Sequence, residues 1–245
     1  MINRAAVSAL VAIDLRSVWR DPMLRWMAVL PVGIAVLLRV GIPLLTQELR
    51  ERQGFDLSPY YLLIVSTLVL LMPAMVGMIA GFLLLDLRDD RTLSALQVTP
   101  LSVRGYLAYR LLLPMALSLP VTVLMVQFVG QVEIGIGATL VVALAAAPVA
   151  PMYALFLGTF ARNKVQGFAL MKAAGVLMIP PVVAWWVREP WQWMLGIVPY
   201  YWPIKLFWNL ATDRGGGVVI MSVALSYQAL LVWLLLRRTD RLALE

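Results

Sequence analysis

LDLRDDRTLSALQVTPLSVRGY, residues Leu85–Tyr106, is a polar, helix-forming stretch set between two long apolar runs. The chain is 62% hydrophobic and only 13% charged, and a chain that merely crosses a bilayer can turn back within a few residues. A polar island of this size therefore needs a reason to exist. Asp86, Asp89 and Asp90 stand near where a short helix would begin, which favours its dipole. Leu93 and Leu96 make an i, i+3 apolar edge, and Pro100 disfavours helix at Thr99 and ends the segment. Spacing alone leaves two readings open: a solvated loop, or a helix on which a soluble partner docks.

The apolar runs on either side set the class. Mean hydropathy is +0.87, and a soluble fold of 245 residues would have a core far too apolar for its surface. About 20 residues as helix cross about 30 Å of hydrocarbon. Six runs suffice, near Leu24–Leu45, Tyr60–Leu85, Tyr106–Gly130, Ile134–Phe160, Phe168–Val187 and Val218–Leu236. Their length excludes barrel strands, which alternate and last about ten residues. Gly135, Gly137, Pro148 and Pro151 invite a break in the fourth run. The fold expected is all-α integral membrane, a single membrane domain over residues 1–245.

Charge orients it. Of the 20 Lys and Arg residues, thirteen fall on the side holding both termini and the island, five on the other, and Arg39 and Lys172 within spans. The richer side is expected in the cytoplasm, so the protein is read as a multi-pass cell-membrane protein with both termini cytoplasmic. The net charge of +7 reflects this bias rather than nucleic-acid binding. Without Cys or His, disulfides, thiolate sites and the commonest metal ligand and acid–base residue are absent. No metal site or catalytic residue is expected.

Three further stretches stand out. Asn3 to Asp21 reads as an amphipathic helix on the cytoplasmic interface, with Val7, Leu10, Val11, Leu15 and Val18 at helical spacing and Arg16, Ser17, Arg20 and Asp21 on another face. Residues 188–217 crowd Trp191, Trp193, Tyr200, Tyr201, Trp202 and Trp208 on the outer side, either as an exit lining for cargo or as an interfacial anchor. Pro199 and Pro203 point to two short helices there. Arg39 lies within the first span, paired with Glu48 or Glu133, or snorkelling outward if Pro43 ends the span early.

DLRSVWRDPMLRW (Asp14–Trp26) and LLLDLRDDRTLSALQVTPLSVRGYLAYRLL (Leu83–Leu112) together resemble the membrane permeases of ATP-binding cassette transporters, type-2 exporter class. In that family an interfacial helix precedes six spans, and a segment E-x-x-x-G-T-L-x-x-L-x-x-T/S-P follows the second. Thr92, Leu93, Leu96, Thr99 and Pro100 match its core; Arg91 replaces the Gly, and Asp86, Asp89 or Asp90 supplies the leading acid. PYYWPIKLFW (Pro199–Trp208) is similar to the P-x-Y-W-x-x-x-x-F segment of drug-type members.

The resemblance implies a transport subunit rather than an enzyme, paired with a second permease and driven by a separate nucleotide-binding subunit that carries the ATP and Mg²⁺. The chain has no phosphate-binding G-x-x-x-x-G-K-[ST] motif of its own. It implies that Asp86, Arg88, Asp89, Asp90, Arg91, Thr92, Leu93, Leu96, Thr99 and Pro100, with Asp14, Arg16 and Arg20 of the interfacial helix, form the ATPase-docking surface. Arg39, Tyr200, Tyr201 and Trp202 are the expected path of a hydrophobic or amphipathic cargo, in contact with membrane lipids. Two rivals are weighed against this. An ion-coupled secondary transporter needs buried acids along its path, and none sits mid-span. An acid-dependent membrane transferase would have only the crowded Asp86, Asp89 and Asp90 to work with.

Overall fold

Backbone polar groups inside hydrocarbon have to be bonded within the protein, and the fold follows that demand. A computed structural model describes the backbone of residues 4–89 and 103–242 and the side chains of residues 8–86 and 108–238. Among them the regular structure is helical, with no strand. The expected docking residues Asp90, Arg91, Thr92, Leu93, Leu96, Thr99 and Pro100 lie outside the described residues. Arg88 and Asp89 are placed only as the last turn of a helix.

The order is α1 (Arg4–Arg20), α2 (Pro22–Gln53), α3 (Tyr61–Asp89), α4 (Val103–Val129), α5 (Ile136–Ala146), α6 (Val149–Phe160), α7 (Lys164–Gly175), α8 (Ile179–Val183), α9 (Tyr201–Ala211) and α10 (Gly217–Leu242). Among the described residues, six helical stretches are long and apolar enough to span a membrane: α2, α3, α4, the pair α5–α6, the run Lys164–Trp186 through α7 and α8, and α10. The protein is thus a multi-pass membrane protein.

Local chemistry explains the boundaries. Asp21 caps α2, accepting from the amides of Met23 (2.8 Å) and Leu24, with Pro22 in the first turn where its missing N–H costs nothing. Gly54, at φ 65°, ends α2 by donating to the Arg50 carbonyl. Pro43 does not stop α2 as one reading of Arg39 required. The proline leaves the Arg39 carbonyl without its helical donor, and Gln131 Nε2 on the loop after α4 supplies one at 3.3 Å. The fourth span does break, at Ala147–Pro148. The Ala145 carbonyl beside that break accepts from Gln228 Nε2 of α10 at 2.9 Å. Pro180 and Pro181 divide the fifth span into α7, 3₁₀ turns and α8.

The second and fourth spans are mostly buried and the other four mostly exposed. α3 and α6 form the centre, packed at close range. A Cβ added at Gly77 would stand 2.2 Å from the Ala150 carbonyl oxygen, so only glycine permits the approach.

Candidate functional site

At the end of the bundle that carries α1, the two helices flanking residues 90–102 are fastened to their neighbours by ion pairs. α1 turns Leu10, Val11, Asp14, Ser17 and Val18 inward and leaves Arg16, Trp19 and Arg20 exposed. Asp14, expected on the docking surface, is instead 8% exposed and bonded within the chain. Its Oδ2 accepts from Tyr109 Oη at 2.8 Å and from Arg110 Nη1 at 2.9 Å. A lone carboxylate on the inner face of an otherwise apolar helix needs such a partner, and Arg110, 7% exposed, needs Asp14 equally.

A second cluster crosses three helix ends. Lys164, the first residue of α7, lies 2.6 Å from Asp21 Oδ2 and 2.8 Å from Asp86 Oδ1. Asp86 sits in the last turns of α3, and Asp21 caps α2. Burial pushes the Asp21 carboxyl up, yet the bonds from Lys164 and from the Met23 and Leu24 amides outweigh it and hold its pKa below the ordinary value. Of the expected docking residues, Asp86 therefore faces an internal cation, and Arg16 and Arg20 face outward.

Between α1, α2, α3 and α4 lies a cavity of about 400 Å³. Its walls are apolar, with Met27, Met72, Met75 and Met125 among them, and its polar groups are Asp14, Tyr109 and Arg110. Composition gave no sign that these methionines converge. Asp14 carried the only available signal for Tyr109 and Arg110, as an acid that had to be neutralised. Lys164 and Asp21 were visible only as members of a charge count and a polar face.

The opposite end is built differently. Arg39 donates to the Phe128 carbonyl at the end of α4 and stacks over the Phe128 ring, 4.8 Å from its centroid. Neither expected carboxylate partners it: Glu48 pairs with Arg52, and Glu133 has no ion pair among the described residues. Tyr201 has no exposed surface and Tyr200 and Trp202 almost none. In this conformation the three are packing beneath the aromatic segment rather than the lining of an open path. Trp202 Nε1 donates to the Gly196 carbonyl at 2.9 Å, and Lys205 ties Glu189 to Gln192. Burial, with Glu189 adding to it, pushes the Tyr201 phenol up to about 12. The rings left outside are Trp186, Trp191 and Trp193.

A family model described as "Fluoroquinolones export permease protein Rv2686c-like" matches residues 14–236. Two curated relatives are each 34% identical over 240 residues, covering 95% of this chain and 93% of theirs. They are the fluoroquinolones export permease proteins MT2760 and Rv2686c, from the CDC 1551 / Oshkosh and ATCC 25618 / H37Rv strains of Mycobacterium tuberculosis. No solved structure matches. The resemblance to drug-export permeases drawn from the sequence is borne out.

Proposed function

The chain belongs to the Rv2686c-like family of fluoroquinolone export permeases, and on that premise we propose that it is the membrane half of an ATP-driven exporter of fluoroquinolone-like, amphipathic compounds. It works as a dimer with the same or a similar permease, and a separate ATPase docks on residues 90–102 from the cytoplasm. The α1 end is the cytoplasmic one, because most Lys and Arg residues gather there.

One observation carries this reading. The helices that enter and leave residues 90–102 are both clamped at that end, α3 through Asp86–Lys164–Asp21 and α4 through Arg110–Asp14. A push on the intervening segment is thereby delivered to α1, α2 and α7 as well as to α3 and α4. A bistable bundle so connected can be biased by nucleotide at one site and by cargo at another. The chain's part is to bind, conduct and transmit; hydrolysis belongs to the partner.

The test is charge reversal at Asp89 and Asp90 combined with Leu93→Arg. The triple variant inserts normally but loses its ATPase on co-purification and loses transport. Full transport with normal co-purification overturns the docking assignment. In vesicles, uptake that requires ATP and ignores ionophores supports the same reading, and the reverse pattern supports an ion-coupled transporter.

A further inference from the structure

The cavity beneath α1 has the composition of a ligand site rather than of a packing defect. Its volume of about 400 Å³ falls in the range of pockets that enclose drug-sized molecules, roughly 300–1,000 Å³. Its polar groups are few and convergent: a carboxylate, a guanidinium and a phenol, on residues that keep 5–8% of their surface. The remaining wall includes four methionines, whose unbranched, polarisable side chains re-form around a guest and favour contact with aromatic rings. Leu15, Val32 and Leu117 belong both to the cavity wall and to the exposed apolar surface, so the cavity is reached sideways from the bilayer.

We propose that this cavity binds a planar aromatic acid, its rings among Met27, Met72, Met75 and Met125 and its carboxylate on Arg110 in the position that Asp14 occupies. Arginine's planar fork accepts one carboxylate in place of another without loss of geometry. The exchange has a mechanical consequence. Asp14 belongs to α1 and Arg110 to α4, so an incoming acid releases the tether of α1 and reports occupancy at the end where the ATPase docks. The inference rests on the export reading for its choice of cargo and adds where that cargo sits and which group holds it.

The test uses the full chain in phosphatidylcholine–phosphatidylglycerol nanodiscs with a fluoroquinolone and its methyl ester, equal in shape but differing in the acid. The wild type binds the acid about tenfold more tightly than the ester, and the uncharged pair Asp14→Asn/Arg110→Gln brings the two to parity. Met75→Trp, which fills the cavity, weakens both ligands together. Equal binding of acid and ester by the wild type overturns the proposal, and that comparison needs no variant to fold. Discrimination retained in Asp14→Asn/Arg110→Gln overturns it too. So does a co-purified phospholipid that saturating acid does not displace, since an acyl chain is then the occupant. If cells export the drug while binding ignores these substitutions, the cavity assignment fails alone. If the wild type with its ATPase exports no fluoroquinolone, the export reading fails with it.

Discussion

Replacing Lys164 with Met keeps most of the aliphatic stem and removes the charge that holds two carboxylates together. Each lies within 2.8 Å of Nζ, so Asp21 and Asp86 are within about 5.4 Å of each other once the cation is gone. At that distance two unit charges repel by about 0.8 kcal/mol in water and about 3 kcal/mol at an effective dielectric of 20. The three side chains keep 23–35% of their surface, so screening favours the lower half of that range. Two lost pairs of this exposure add at most about 1 kcal/mol each. Lys164→Met is therefore expected to destabilise the protein by about 2 kcal/mol, which lowers the unfolding midpoint of a chain this size by roughly 4–8 °C. Thermal unfolding in lipid nanodiscs measures it, with Lys164→Arg as the control that retains the charge.

The diagnostic step is a double substitution. If repulsion is the cause, Asp86→Asn in the Lys164→Met background recovers about 1 kcal/mol, although Asp86→Asn alone destabilises. Additive losses refute the electrostatic account and leave simple packing. An unchanged midpoint in Lys164→Met refutes the clamp itself. On the proposed exporter reading the same variants report on coupling: with the clamp open, ATP hydrolysis by a partner would continue while transport falls.

Asp14→Ala removes the carboxylate to which Arg110 and Tyr109 both donate and should cost up to about 3–5 kcal/mol, with Arg110→Met in the same chain recovering part of the loss on urea denaturation in mixed micelles. Gly77→Ala drives a Cβ into the Ala150 backbone and should prevent accumulation of folded protein, whereas Gly33→Ala, with nothing within 4 Å, should leave the unfolding free energy unchanged or raise it by up to about 1 kcal/mol. The carboxyls of Asp21 and Glu189 lie below their ordinary values of 3.8 and 4.5, Glu189 through its bond from Lys205 and Asp21 through bonds that outweigh its burial. Each depressed pKa contributes stability that is complete above the ordinary value and is lost as pH falls through the lower folded one, so the midpoint should be flat from about pH 6 to 8 and drop below about pH 4. Glu189→Gln should flatten part of that acid slope.

The six spans could be read from the chain because burial in hydrocarbon demands run length, and run length is a one-dimensional property. Charge placement was equally visible: Arg16 and Arg20 face outward as their positions on α1 require. Pairing was not. Asp14 and Arg110 are 96 residues apart and Lys164 and Asp21 are 143 apart, and nothing local distinguishes a carboxylate waiting for an ATPase from one already held by a neighbouring helix. The placement of Tyr200, Tyr201 and Trp202 was hidden for a related reason. An aromatic crowd at a membrane interface has the same composition whether its rings line a route or pack beneath one.

Proline shows why even the local signals stop short. Pro43 and Pro148 carry the same defect, a missing N–H inside an apolar run, yet α2 continues through one and the fourth span breaks at the other. The Arg39 carbonyl beneath Pro43 receives Gln131, and the Ala145 carbonyl beside the Pro148 break receives Gln228, each from a different part of the bundle. Gln192 does the same at the end of the fifth span, donating to the Ala184 and Val187 carbonyls at 2.9 and 2.7 Å. In hydrocarbon such bonds contribute on average only about 0.6 kcal/mol, too little to hold a helix rigid and enough to mend one that bends. The central pair α3 and α6 carries prolines too, Pro73 and Pro151, but there Gly77 lets the two backbones touch. Proline breaks stitched by single glutamines thus occur in outer and central spans alike, and ion pairs that a competing charge can open tie α2, α3 and α7 together at the α1 end.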